Sequence, residues 1–138
     1  MSDEAANVAI LKEAYRQWHE TKGGSLPQLL SIVDPMISFG SVPRGVAPLA
    51  FATQYDSRKA LQGYFDGLLT NWTMVYYTID EYIAQGDAVF ARGATAWTNR
   101  ITGKTAETPK VDFWRFRDGK AVEFYEYFDT ACMAAAAT

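Results

Sequence analysis

The run Val111-Asp112-Phe113-Trp114-Arg115-Phe116-Arg117-Asp118-Gly119-Lys120, continued by Ala121-Val122-Glu123-Phe124-Tyr125-Glu126-Tyr127-Phe128-Asp129, decides the fold of this chain. Aromatic and β-branched residues crowd both halves, and the polar Arg117-Asp118-Gly119-Lys120 between them has the composition of a hairpin turn. Side chains two apart share a face of a strand. In the second half Val122, Phe124, Glu126 and Phe128 therefore lie opposite Glu123, Tyr125, Tyr127 and Asp129. In the first half Asp112, Trp114 and Phe116 lie opposite Val111, Phe113 and Arg115.

The same pattern extends toward the N-terminus. Strand-like runs cover Met74–Ala84, Ala88–Ile101, Thr108–Phe116 and Ala121–Thr130, separated by Gln85-Gly86-Asp87, Thr102-Gly103-Lys104 and the turn already quoted, which predicts an antiparallel meander of four strands. Before Thr73 the period is helical. Val8, Leu11, Ala14, Tyr15 and Trp18 form an apolar stripe over Glu4–His19, ended by Gly23-Gly24. Ser25 as a cap and Pro27 just inside open a second, shorter helix, which Asp34-Pro35 breaks. Met36–Val42 is a first strand and Pro43–Thr53 an aperiodic loop near the surface or over a site. Ser57–Trp72 returns to helical spacing, capped by Asp56 or Ser57, and Ala134–Ala137 reads as a fraying helical tail. Helices segregated ahead of a meander describe an α+β fold, with helices covering one face of a curved sheet, in one domain over residues 1–138.

Composition narrows the function. The chain has 138 residues, 49% hydrophobic and 14% aromatic, the profile of one compact domain. Thirteen Lys and Arg against sixteen Asp and Glu give a formal charge of −3 without a basic stripe, so nucleic acid is not an expected partner. The single Cys132 excludes an internal disulfide, and a lone His19 excludes a His/Cys metal cluster, so no metal is expected. The acidic start and the lack of an apolar run of about twenty residues lead to the expectation of a cytoplasmic protein without a membrane span.

Three charged residues stand on apolar faces. Glu126 and Asp112 have aromatic company, and Arg92 shares a face with Phe90, Ala94 and Ala96, from which it could supply charge to a cavity. In one reading the three converge in an apolar pocket, where burial raises a carboxyl pKa and makes proton transfer feasible near neutral pH. In the other they neutralise one another, Arg92 pairing with Glu126 as a structural ion pair. His19, just before the glycines, reads as a solvated C-terminal cap, Tyr15 as a core residue with one hydroxyl partner, and Cys132 as an ordinary thiol.

The element order, with the quoted pair of strands, resembles the nuclear transport factor 2-like superfamily, and more narrowly a SnoaL-like or ketosteroid isomerase-like domain, from about Glu4 to Met133. The resemblance implies a cone-shaped, cystatin-like α+β roll with a deep apolar pocket between helices and curved sheet. Leu11-Lys12-Glu13-Ala14-Tyr15 is similar to the first helix of ketosteroid isomerases, where Tyr15 would donate to the substrate oxygen. Asp112 falls on that family's protonated aspartic acid, itself a known example of a carboxyl kept neutral by an apolar site. The isomerase base does not carry over: Gly40 stands in its place. The last strand resembles limonene epoxide hydrolase, with Glu126 at a catalytic aspartate and Arg92 at the bridging arginine, but Ala94 replaces the second acid. In SnoaL-type polyketide cyclases an acid near the end of the sheet shuttles a proton, a part open to Glu126.

The expectation is a small-molecule enzyme that moves a proton on a lipophilic carbonyl compound, as an isomerase, cyclase or dehydratase, without cofactor. Glu126 is the expected acid/base, Tyr15 and protonated Asp112 the oxyanion donors, and Arg92 the residue that holds Glu126. Trp18, Phe39, Tyr76, Trp114, Phe124 and Phe128 line the cavity. The competing readings are a non-catalytic module for an apolar ligand, an epoxide hydrolase-like protein and an assembly protein. A homodimer is expected through an outer sheet face bearing Tyr77, Trp97, Phe113, Tyr125 and Tyr127.

Overall fold

The computed structural model describes residues 3–138. Helix α1 spans Asp3–Glu20, α2 Leu26–Ser31, strand β1 Val33–Ser41, α3 Gln62–Asn71, β2 Trp72–Gln85, β3 Ala88–Asn99, β4 Thr105–Arg117, β5 Lys120–Phe128 and α4 Thr130–Ala136. The five strands form one curved, unclosed sheet in the order β1-β5-β4-β3-β2. The last four strands are the expected antiparallel meander, and β1 joins its far edge parallel to β5.

The α1 stripe buries Leu11, Ala14, Tyr15 and Trp18 against the sheet. The helix ends in a Schellman motif: the Gly23 N–H donates to Trp18 O at 3.0 Å and the Lys22 N–H to His19 O at 3.2 Å. Lys22 takes the left-handed position at φ 52°, with Gly23 following at φ 89°. The second helix ends at Ser31, ahead of Asp34-Pro35, and β1 starts at Val33 and runs through both residues, earlier than the expected Met36. An edge strand tolerates proline, whose missing N–H costs a ladder bond only on a paired side. Turns occupy residues 57–61, so the third helix is shorter than its apolar spacing suggests. Ser25 makes no side-chain cap bond. The alanine-rich tail belongs to helix α4, which Asp129 caps by accepting from the Cys132 N–H at 3.0 Å and which buries Met133 and Ala136.

Strand β2 carries two bulges, at Met74/Tyr76 and Ile79/Glu81. Each adds one residue and inverts the alternation that follows. Tyr77, not Tyr76, therefore joins Met74 on the inner face; Tyr77 is buried, while Tyr76 points out and donates to Glu107 at 2.8 Å. His19 serves this irregularity. Its Nδ1 accepts from the Tyr77 backbone N–H at 3.1 Å, which makes it a partly buried partner of the sheet and not a solvated cap.

Candidate active site

The cavity lies between the inner sheet face and helices α1 and α3, with a volume of about 70 Å³. Trp18, Phe39, Phe65, Trp97, Trp114 and Phe124 are among the residues that line it, and the polar atoms gather on one side. Phe39 stacks on Phe124 with centroids 4.2 Å apart, and Trp114 meets Phe124 edge-on at 4.6 Å. Phe128 also lines the wall, whereas Tyr76 does not, having been turned outward by the first β2 bulge.

The polar side is built on the β4–β5 register. Directly opposed residues of an antiparallel pair share a face, so Asp112 opposite Glu126 places both carboxylates inward. Between them stands Lys110, two residues before Asp112 on the same strand face. Its Nζ is 2.8 Å from Glu126 Oε1 and 3.2 Å from Asp112 Oδ1, with side chains 8%, 3% and 1% exposed. Lys110 also donates to the Tyr77 hydroxyl.

Each carboxylate has its own phenols. Tyr15 and Tyr77 both donate to Asp112 Oδ2 at 2.5 Å, and Trp114 Nε1 donates to the Tyr15 hydroxyl at 2.8 Å. Tyr64 donates to Glu126 at 2.8 Å to Oε2 and 3.0 Å to Oε1, and Ser41 donates to the same Oε2. Glu126 is thus engaged at both oxygens. Asp112 is not: its Oδ1, though near the ammonium, has no hydrogen-bond partner. The Lys110 contact there is an ion-pair approach without hydrogen-bond alignment.

Charge follows from these surroundings. Burial alone would lower the Lys110 pKa, but Asp112 and Glu126 outweigh it and hold the ammonium charged well beyond its usual range. Burial pushes the Asp112 carboxyl up, against the pull of Lys110 and with the repulsion of Glu126. Burial, then the adjoining carboxylates, keep Tyr15, Tyr64 and Tyr77 protonated far past the ordinary phenol value. The phenols are therefore donors and the carboxylates acceptors.

Several expected positions fall elsewhere. Arg92 lies opposite Val111 on the outer face, its side chain is 61% exposed, and it pairs with Glu81 at 3.1 Å. Phe90, Arg92 and Ala94 do share one face, but the inner face of β3 is the other one, carrying Val89, Ala91, Thr95 and Trp97. Ala94 is accordingly no cavity position. Nor is Gly40, whose partner is Tyr125; a Cβ there would come within 2.7 Å of the Tyr125 ring. The outer face retains Phe113, Tyr125 and Tyr127 but not Tyr77 or Trp97, which line the cavity. Lys110, Tyr64 and Ser41 went unread as site residues, and Tyr77 was read onto the wrong face. Lys110 had a usable signal, since its parity with Asp112 and Trp114 is plain; the phenols and the serine had none.

The segment from Val42 to Asp56 covers one side. Its Phe51 lines the cavity and rests on α3 at Gly67, where a Cβ would come within 2.5 Å of Phe51 Cβ. Among the described residues no group of three or more His, Cys, Asp or Glu is placed to hold a metal ion.

A SnoaL-like domain family matches residues 12–124, most of the chain. The chain belongs to this SnoaL-like family. Solved structures share the fold. An NTF2-like protein of unknown function from Burkholderia pseudomallei K96243 is 26% identical, with a TM-score of 0.82 over 100% of this chain and 99% of that one. TerC, co-crystallised with polyporic acid, is 21% identical, with a TM-score of 0.78 over 96% and 98%. IdmH from Streptomyces antibioticus, described as a proposed polyketide cyclase, is 20% identical, with a TM-score of 0.69 over 94% and 96%. No curated protein sequence matches this SnoaL-like chain.

Proposed function

We propose that the protein is a cofactor-independent enzyme that moves a proton on a lipophilic, enolisable carbonyl compound, in the manner of an isomerase, cyclase or dehydratase. The observation that carries this reading is Asp112 Oδ1, a buried carboxylate oxygen without a hydrogen-bond partner, beside a buried ammonium in an aromatic cavity. Oδ1 takes a proton from the carbon next to the carbonyl. The C–H electron pair passes into the carbonyl system, and the negative charge that develops on oxygen is held by Lys110. Oδ1 then returns the proton to the oxygen or to a second carbon.

This reading moves the acid/base role from Glu126 to Asp112. Glu126, bonded by Tyr64 and Ser41, keeps Lys110 charged and in place, the part first expected of Arg92. The Tyr15 hydroxyl, receiving from Trp114 and donating to Asp112, orients the base and is not free to hold the ligand oxygen. The second reading, a non-catalytic binding module, draws on the same ion cluster, which also satisfies a core without chemistry. A homodimer through the outer sheet face is proposed as well, because Phe90 and Tyr127 are 43% and 49% exposed there.

The test is deuterium exchange at the α-carbon of 1-indanone and 1-tetralone in heavy water, followed by proton NMR. Exchange above buffer that falls about a hundredfold in Asp112→Asn, and by much less in Glu126→Gln, is the expected result. Ketones that bind without enhanced exchange would establish the binding module instead.

A further inference from the structure

The peptide unit between Tyr76 and Tyr77 is held at both ends by side chains. Its carbonyl, on Tyr76, accepts from the Thr95 hydroxyl at 2.9 Å, and its N–H, on Tyr77, donates to His19 Nδ1 at 3.1 Å. Thr95 comes from the neighbouring strand β3 and His19 from the last turn of α1. Just upstream lies Val75, the extra residue of the first β2 bulge, left without a partner on β3. A peptide is planar, so holding both its ends fixes the torsions on either side and with them the direction of the next side chain. That side chain is Tyr77, whose hydroxyl donates to Asp112 Oδ2 at 2.5 Å and accepts from Lys110.

The two clamps differ in one respect. A threonine hydroxyl donates at any ordinary pH, whereas an imidazole accepts at Nδ1 only while that nitrogen carries no proton. Imidazole is the side chain that exchanges its proton between about pH 5 and 8, and a protonated ring would set its own N–H against that of Tyr77. Beside His19 on α1, Arg16 and Glu20 pair with each other at 2.7 Å, and Lys22 gives its ammonium to the His19 carbonyl oxygen at 3.0 Å. Of the elements packed on α1, α2 has no titratable side chain, and β3 has only Arg92, paired with Glu81 of β2 on the outer face. Strand β2 adds Tyr76, Tyr77, Tyr82 and the exposed Asp80. Among the described residues none of these side chains bonds to the imidazole, so the Tyr77 N–H is the contact that its protonation breaks.

We infer that His19 is a positioning residue for the polar side of the cavity: neutral, it latches the Tyr76–Tyr77 peptide so that Tyr77 reaches Asp112 and Lys110, and protonated in mildly acidic solution it lets that peptide go. Asp112 then loses one of its two phenol donors, and Lys110 loses an acceptor. Tyr77 reaches both groups whatever reaction the cavity performs, so the latch and the proton-transfer reading stand or fall separately.

NMR of protein labelled with carbon-13 at tyrosine Cζ, followed from about pH 8 to about pH 5, tests this. The Tyr77 Cζ signal, identified by its absence in Tyr77→Phe, should shift with the same midpoint as the His19 ring protons. His19→Asn, whose carboxamide oxygen accepts in place of Nδ1 and does not titrate, should keep that signal at its high-pH position throughout. His19→Leu should hold it near its low-pH position at every pH, and its Tyr77 amide should exchange with heavy water about tenfold faster at neutral pH than in the unmodified protein. If His19→Leu does not fold, the comparison of the unmodified protein with His19→Asn decides. A Tyr77 signal that stays in place while His19 titrates, an imidazole that remains neutral across the range, or a shift that persists in His19→Asn would overturn the inference.

Discussion

Lys110 and Glu126 form a 2.8 Å ion pair inside an aromatic cavity, with only 8% and 3% of their side chains exposed. Two ions so placed have given up their hydration, and each depends on the other to offset that loss. Asp112 draws on the same ammonium from 3.2 Å, so one cation holds two carboxylates in the core.

Lys110→Met keeps the chain length and removes the charge. It should destabilise the fold by about 3–5 kcal/mol, the usual cost of stranding a buried partner. Urea denaturation followed by circular dichroism measures it; a loss below about 1 kcal/mol would mean that the carboxylates carry no charge for Lys110 to balance.

Alkaline stability follows from groups whose native pKa is raised. Lys110 lies above 10.5 and Tyr15, Tyr64 and Tyr77 above 10.0. Each prefers its protonated form in the fold, so its contribution is fully present below the unfolded value and is lost as pH rises through the native one. These three tyrosines should stay un-ionised until the fold opens cooperatively. Absorbance at 295 nm, read alongside circular dichroism, checks this, and early ionisation of all eight tyrosines would refute it.

Asp112 acts in the acid range. Its carboxyl is raised above 3.8 by burial, so its stabilising share is complete below that value and fades as pH climbs through the native pKa. Carbon-13 NMR of the labelled carboxyls should place its midpoint above 3.8, and a midpoint at or below it would return Asp112 to a purely ionised, structural role.

The neighbours Tyr76 and Tyr77 make an internal control. Tyr77→Phe removes a donor to Asp112 and an acceptor for Lys110, and should cost about 1–3 kcal/mol. Tyr76→Phe breaks only an exposed bond to Glu107 and should stay within about 0.5 kcal/mol. Thermal melts of the two variants should differ accordingly; equal melts would contradict the inward placement of Tyr77.

Sedimentation velocity at micromolar concentration should show a dimer, and Tyr127→Glu, which puts charge on the outer face between Tyr125 and the solvent, should shift it toward monomer. A monomeric unmodified protein would count against the outer face as an interface.

The meander and the first helix were legible because each rests on a local period, two or three-and-a-half residues long, that the chain declares in place. The inward aspect of Asp112 and Glu126 was legible for the same reason. Arg92 was not, since β3 carries small residues on both faces and parity says which residues travel together without saying which way they look. Only the pairing Ala91 with Asp112 and Arg92 with Val111 decides it, and that pairing is non-local. Tyr77 was hidden by a bulge, an extra residue whose position depends on the neighbouring strand. The clustering of Tyr64, Ser41 and Lys110 at Glu126 joins four separate elements, and no stretch of sequence records it.

The seat of Phe51 on Gly67 bears on how such a cavity diversifies. Because the glycine admits the ring at its root, where no rotation can relieve a clash, position 67 is a boundary between two kinds of roof. A descendant with alanine there would have to lift the whole Val42–Asp56 cover by rebuilding its backbone, and would acquire a differently shaped chamber over an unchanged ionic floor.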